Sequence, residues 1–149
     1  ANASEFGGEI IPGGKAQLTD WGTRVPTIVR WPGVVPAGSV SDALIDASDF
    51  LPTLAEVAGA ELPFGIQLDG KSFASELYGQ AAAPRDWVFA EHKGRAFVKN
   101  HRWKLYSDGR LFALQRDPHA RIETDTNGAV RATLQSAMNS LFAISQAEQ

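Results

Sequence analysis

The chain has no cysteine among its 149 residues, so disulfides and thiolate-bound metals are excluded within it. Its three histidines, His92, His101 and His119, stand at neither i,i+2 nor i,i+4 spacing, and no metal site follows from them. No apolar run approaches the roughly 18 residues of a membrane span. Residues 1–9 are polar and glycine-containing and do not read as a signal peptide. A basic excess is also missing. The formal charge is -3, and the basic residues between Lys93 and Arg110 are broken up by Glu91 and Asp108, so no face is dense enough to expect nucleic acid. There is no Gly-x-Ser-x-Gly elbow and no internal repeat.

What is present is ordinary globular material. The 44% hydrophobic and 21% charged content suits a domain with a real core. Residues 1–23, rich in glycine and polar side chains, read as loop. Residues 25–31 are β-branched and apolar and predict a buried strand stopped by Pro32-Gly33. A short extended piece is expected over 39–45. Residues 48–58 predict a helix with Ser48 as N-cap, Asp49 in the first turn and Gly59 as C-cap. Its Leu51, Leu54, Ala55 and Ala58 share one face. A second, short helix is expected over 72–78.

Residues 80–85 read as a linker. Four short strands follow, over 87–91, 96–100, 103–107 and 110–114, with Ser107-Asp108-Gly109 as a hairpin turn. Asp117-Pro118 ends the last strand. Val130, Leu134, Ala137, Met138, Leu141 and Ile144 form a helical stripe, predicting an amphipathic helix over 129–147. A small antiparallel sheet under one helix buries one face of each. The expected fold class is α/β (α+β), divided into 1–79 and 80–149.

The residues of chemical interest lie in Gly13-Gly14-Lys15-Ala16-Gln17-Leu18-Thr19-Asp20-Trp21-Gly22-Thr23-Arg24-Val25-Pro26. A glycine-flanked lysine can bind a tetrahedral anion, since glycine lets the backbone approach and the ammonium supplies three donors. Asp20 and Arg24 are expected to hold the loop by a salt bridge. Ala16 argues against a strongly kinked backbone there, because alanine disfavours positive φ.

This stretch resembles the Gly-Lys-Gly-x-x-x-Glu-Gly-Gly-x-Arg-x-Pro segment of the sulfatase family, arylsulfatase type, in the alkaline-phosphatase-like superfamily. Ala16 stands for the second glycine and Asp20-Trp21-Gly22 for Glu-Gly-Gly. Further segments are similar to that family. Asp49-Phe50-Leu51-Pro52-Thr53-Leu54 through Ala58-Gly59 resembles its Asp-x-x-Pro-Thr-Leu helix, and Leu68-Asp69-Gly70-Lys71-Ser72 its Asp-Gly-x-Ser turn. Phe97 to Tyr106, with Val98-Lys99 and Trp103-Lys104-Leu105, resembles its Val-Arg-x-Gly-x-Trp-Lys-Leu strand pair, and Leu111 to Pro118 more loosely its Leu-Tyr-Asp-Leu-x-x-Asp-Pro.

The resemblance implies the C-terminal portion of a sulfatase. Lys15 would be both the catalytic and the substrate-binding lysine, with His92 and His101 at the rim of the substrate pocket. The fold would end in a small four-stranded antiparallel sheet packed on a helix. The parent would use formylglycine and a calcium ion. This chain carries no cofactor or metal site of its own, so alone it is expected to be inactive. The implied partners are a sulfated small molecule or carbohydrate and the missing N-terminal part of the same enzyme. The implied compartment is periplasmic or extracellular. A phosphonate or phosphate monoester hydrolase, or a non-catalytic binding module of the same fold, are the alternatives the residues leave open.

Overall fold

Alternation of side chains along four short strands organises one half of the chain. In a computed structural model, residues 4–6, 8–11, 13–65, 68–80, 85–114 and 128–147 are described. Asp117-Pro118, His119 and residues 81–84 of the expected linker lie outside them. Strands β3 (Val88–His92), β4 (Arg95–Lys99), β5 (Trp103–Tyr106) and β6 (Leu111–Ala113) form an antiparallel sheet in the order β3-β4-β5-β6. Hairpin β1 (Ser4–Phe6) and β2 (Glu9–Ile11) precedes it. A helical turn α1 (Asp20–Thr23), helices α2 (Phe50–Ala58) and α3 (Ala74–Leu77), and a long helix α4 (Gly128–Ala147) complete the list. The chain divides into two compact units, 27–88 in one and 1–26 with 89–149 in the other.

In the sheet unit the register places Phe97 opposite Tyr106, Lys99 opposite Lys104 and Lys104 opposite Phe112. Side chains alternate across a strand. Phe97, Lys99, Lys104, Tyr106 and Phe112 therefore share one face, and Val98, Leu105 and Leu111 the other. Helix α4 packs on β4 and β5, with Leu134 and Met138 buried, as the helical stripe predicts. Each fully buried leucine or valine contributes about 1.5–3 kcal/mol. The aromatic face carries its own cluster of Phe97, Tyr106 and Phe112, with Leu18 packed against it.

Turn chemistry closes the hairpins. Lys93 and Gly94 both have positive φ, 53° and 72°, the pattern of a two-residue type I′ turn. At the β5–β6 hairpin Gly109 sits at φ 88°, and the Tyr106 N–H donates to Arg110 O at 2.9 Å. The Arg131 guanidinium of α4 donates to Gly109 O.

The other unit buries Pro52, Phe73 and Ala74 together with a set of hydrogen-bonded polar groups. A 3-10 turn, Ala47–Asp49, leads into α2. Its cap is Asp46 instead of the expected Ser48. Asp46 Oδ1 accepts from Ser48 N at 3.0 Å and Asp49 Oδ2 accepts from Asp46 N at 2.7 Å, a reciprocal capping box. Asp49 is fully buried. Its Oδ1 accepts from Lys71 N at 2.7 Å and from the Arg85 guanidinium. Thr53 Oγ1 donates to Asp49 O at 2.6 Å and accepts from Phe73 N at 3.0 Å. A Cβ on Gly70 would lie 2.0 Å from Ser48 O, so the backbone approach there requires glycine. Gly59 caps α2 at φ 63°, as expected.

Several expectations are corrected. Residues 1–23 are not all loop, because β1 and β2 pair around Gly8 at φ 82°. Residues 25–31 form no strand. Val25 and Ile28 are 74% and 89% exposed, and among the described residues no strand pairs with this segment. Residues 39–45 form no strand either. Ser41 Oγ instead donates to Glu76 Oε2 at 2.6 Å and accepts from Ala43 N at 3.1 Å. In α2 the apolar stripe is turned outward, with Leu51 and Leu54 54% and 61% exposed, while Pro52 and Thr53 are buried. Burial in α2 follows the Asp49–Thr53 hydrogen bonds and not the leucine stripe.

Candidate anion-binding site

A loop that crosses its own backbone presents Lys15. A Cβ on Gly14 would lie 2.2 Å from the carbonyl carbon of Trp21. One on Gly22 would lie 2.2 Å from both Gln17 O and Gly14 O. Neither position accepts any other residue without moving backbone. Gln17 N donates to Gly14 O at 2.9 Å, closing a turn whose tip is Lys15-Ala16. Ala16 adopts φ 65°, so the kink is made in spite of the alanine, at about 1–2 kcal/mol relative to glycine. Lys15 is exposed, and among the described residues its side chain has no ion pair or hydrogen bond.

The base of the loop is fastened to the aromatic face of the sheet. Lys104, 0% exposed, donates from Nζ to Leu18 O and to Asp20 Oδ1, both at 2.8 Å. The same ammonium lies 4.0 Å from the Phe97 ring centroid and 5.1 Å from that of Tyr106, within cation–π range. Tyr106 Oη donates to Leu18 O at 3.2 Å. Lys99 Nζ reaches Asp20 Oδ2 at 3.3 Å. Asp20 therefore pairs with Lys99 and Lys104. The expected Asp20–Arg24 bridge does not form, since Arg24 is exposed and contributes only its N–H, to Asp20 O at 2.9 Å.

Burial sets the ionisation. Desolvation alone would raise the Asp20 carboxyl, but the hydrogen bond and charge of Lys104, with the charge of Lys99, outweigh it and hold Asp20 below its ordinary value. Desolvation lowers Lys104, with Asp20 pulling the other way. Tyr106 is pushed up to about 12, first by burial and then by the Asp20 charge.

The two candidate histidines fall at different ends of the sheet. His92 closes β3, half-buried, and His101 is exposed in the turn after β4. β4 lies between them and rises about 13 Å. Lys99 opposite Lys104 puts Asp20 at the His101 end. Asn100 Oδ1 shapes that turn by accepting from Arg102 N and Trp103 N, both at 2.8 Å. Among the described residues no group of three or more His, Asp or Glu could hold a metal ion. No helix among them is long and apolar enough to cross a membrane.

Sequence reasoning missed Lys104. A signal was available, since Lys104 alternates with Trp103 and Leu105 on a strand whose both faces are apolar, and an inward lysine there needs partners. The pairing of Asp49 with Arg85 was missed because 36 residues separate them.

The chain matches the family described as "N-sulphoglucosamine sulphohydrolase, C-terminal" over residues 14–143, a match that starts at the loop glycine. It is 32% identical to "Steryl-sulfatase" of Rattus norvegicus over 114 residues, covering 74% of this chain and 19% of that protein. It is 40% identical to "Ulvan-active sulfatase" of Formosa agariphila over 76 residues, 51% of this chain and 15% of that protein. It is 36% identical to "Arylsulfatase G" of Mus musculus over 86 residues, 56% of this chain and 16% of that protein. The chain thus spans about a fifth or less of the length of these curated relatives. With the family match running through the Lys15 loop, the four-stranded sheet and most of α4, the chain belongs to the C-terminal domains of the sulfatase family.

Proposed function

We propose that this chain is the C-terminal part of an enzyme hydrolysing sulfate esters, and that Lys15 binds the sulfate being transferred. The observation that carries this is the Lys15 turn itself, whose backbone crossing at Gly14 and Gly22 leaves the ammonium exposed and without a partner among the described residues. In sulfate-ester hydrolysis the S–O bond to the alcohol breaks, and charge gathers on the non-bridging oxygens and on the leaving oxygen. A fixed ammonium stabilises that charge most where water is excluded. Lys15 then orients the anion and carries its developing charge.

The nucleophile and the calcium site of this reading belong to the preceding part of the enzyme. The sequence has no cysteine, and the described residues hold no metal cluster. Formylglycine and Ca2+ would supply attack on sulfur and polarisation of the sulfate. The same preceding part is the partner proposed for the exposed apolar side chains of Ile28, Leu51 and Leu54. The large domain would end near Gly79, with 80–149 forming the small one. His92 and His101 are proposed to contact the substrate's organic part, a sulfated small molecule or carbohydrate, from the sheet domain. The proposed compartment is periplasmic or extracellular.

The test replaces Lys15 in the complete enzyme. Lys15→Ala is expected to lower kcat/KM for a chromogenic aryl sulfate by about 10²–10³-fold. Unchanged kcat/KM would contradict the assignment. The pure 149-residue chain is expected to show no turnover, and measurable turnover by it would overturn the division of labour.

A further inference from the structure

We infer that Lys104 is a positioning residue, which acts through the Lys15 loop by holding its base against the sheet. This inference rests on the reading of Lys15 as the sulfate-binding group. Three backbone positions separate Leu18 from Lys15, and one oxygen, Leu18 O, accepts from both Lys104 Nζ (2.8 Å) and Tyr106 Oη (3.2 Å). Two residues on, Asp20 accepts from Lys104 and Lys99. On the near side the Gln17–Gly14 hydrogen bond and the Gly14/Gly22 crossing close the loop. The turn bearing Lys15 therefore has little freedom except through its attachment to β5.

A buried lysine is a costly way to hold a loop. An apolar side chain of similar length would pack among Phe97, Tyr106 and Phe112 at lower desolvation cost, and buried ion pairs seldom stabilise more than their apolar replacements. What the ammonium adds is direction. Its donors fix a carbonyl and a carboxylate of the same loop at once, and its place over the Phe97 ring fixes the ammonium itself. A displacement of about 1 Å in a positioned group can cost on the order of a hundredfold in rate, and such a displacement is what loss of this attachment permits at Lys15.

The test is a double-mutant cycle in the complete enzyme, read as kcat and KM for an aryl sulfate with folding verified by circular dichroism. Lys104→Met is expected to lower kcat/KM by about ten- to a hundredfold. In the Lys15→Ala background the same change should add no further loss, because the group it positions is gone. Multiplicative losses, or wild-type kinetics for Lys104→Met, would overturn the inference while leaving Lys15 in place. Unchanged kinetics for Lys15→Ala alone would instead sink the reading beneath it. Tyr106→Phe, which deletes a single hydroxyl bond to Leu18 O, covers the case in which Lys104→Met does not fold. It should lower kcat/KM about two- to tenfold, again only when Lys15 is present, and a loss that persists without Lys15 would overturn the inference.

Discussion

The sheet unit and residues 27–88 solve burial in different ways. In the first, both faces of the sheet are covered from within, one by α4 and the other by the loop around Leu18 and Asp20. In the second, Asp49, Thr53 and the Arg85 side chain are buried beside Pro52, Phe73 and Ala74, while leucines of α2 are exposed. Apolar periodicity therefore reports burial in the first region. In the second it does not, since Leu51 and Leu54 are exposed.

The largest expected effect breaks the sheet unit at its charged centre. Asp20→Ala leaves Lys104 buried without its carboxylate, and unfolding by denaturant should show a loss of about 3–5 kcal/mol. Leucine truncation then compares the regions directly. Leu105→Ala, at a site with no exposure, should cost about 2–5 kcal/mol, whereas Leu54→Ala should stay within about 0.5 kcal/mol in this chain. Equal costs would erase the distinction.

Acid titration sharpens the same contrast. The Asp20 pKa is depressed in the folded state. Its contribution is therefore present above the unfolded value of about 3.9 and lost as pH falls through the lower folded value. Asp20→Asn should be less stable than wild type near neutrality, and the difference should shrink as the solution is acidified below that range. A constant difference would show that the carboxylate's charge is not what stabilises the fold. Two further effects are gains. Ala16→Gly and Lys93→Asn relieve positive φ and should each stabilise by up to about 1 kcal/mol, measured as a rise in Tm.

What was legible in the sequence follows this division. The four strands and the Gly109 turn were readable because each strand is satisfied by a neighbour close along the chain, and the α4 stripe because its 3.6-residue periodicity is internal to the helix. The tight turn at Lys15 was readable because Gly14 and Gly22 answer to a local backbone crossing. The strand expected over 25–31 was not, since its β-branched pattern asks for a partner strand that the described residues do not provide. Ala16 misled in the other direction. Its preference against positive φ is overridden by a loop closed at both ends, a tertiary effect no local propensity contains. Lys104 and Asp20, 84 positions apart, depend on register and could not be paired before the sheet was known.

Amide hydrogen exchange on the 149-residue chain tests the central contrast most directly. The account predicts slow exchange at Gln17, Thr23 and Arg24, whose N–H groups are bonded within the loop, and at β4 and β5, alongside fast exchange at Val25, Ile28 and Val29. Fast exchange throughout residues 17–24, with β4 and β5 still protected, would show that the Lys15 loop is not fastened to the sheet, and would contradict the account.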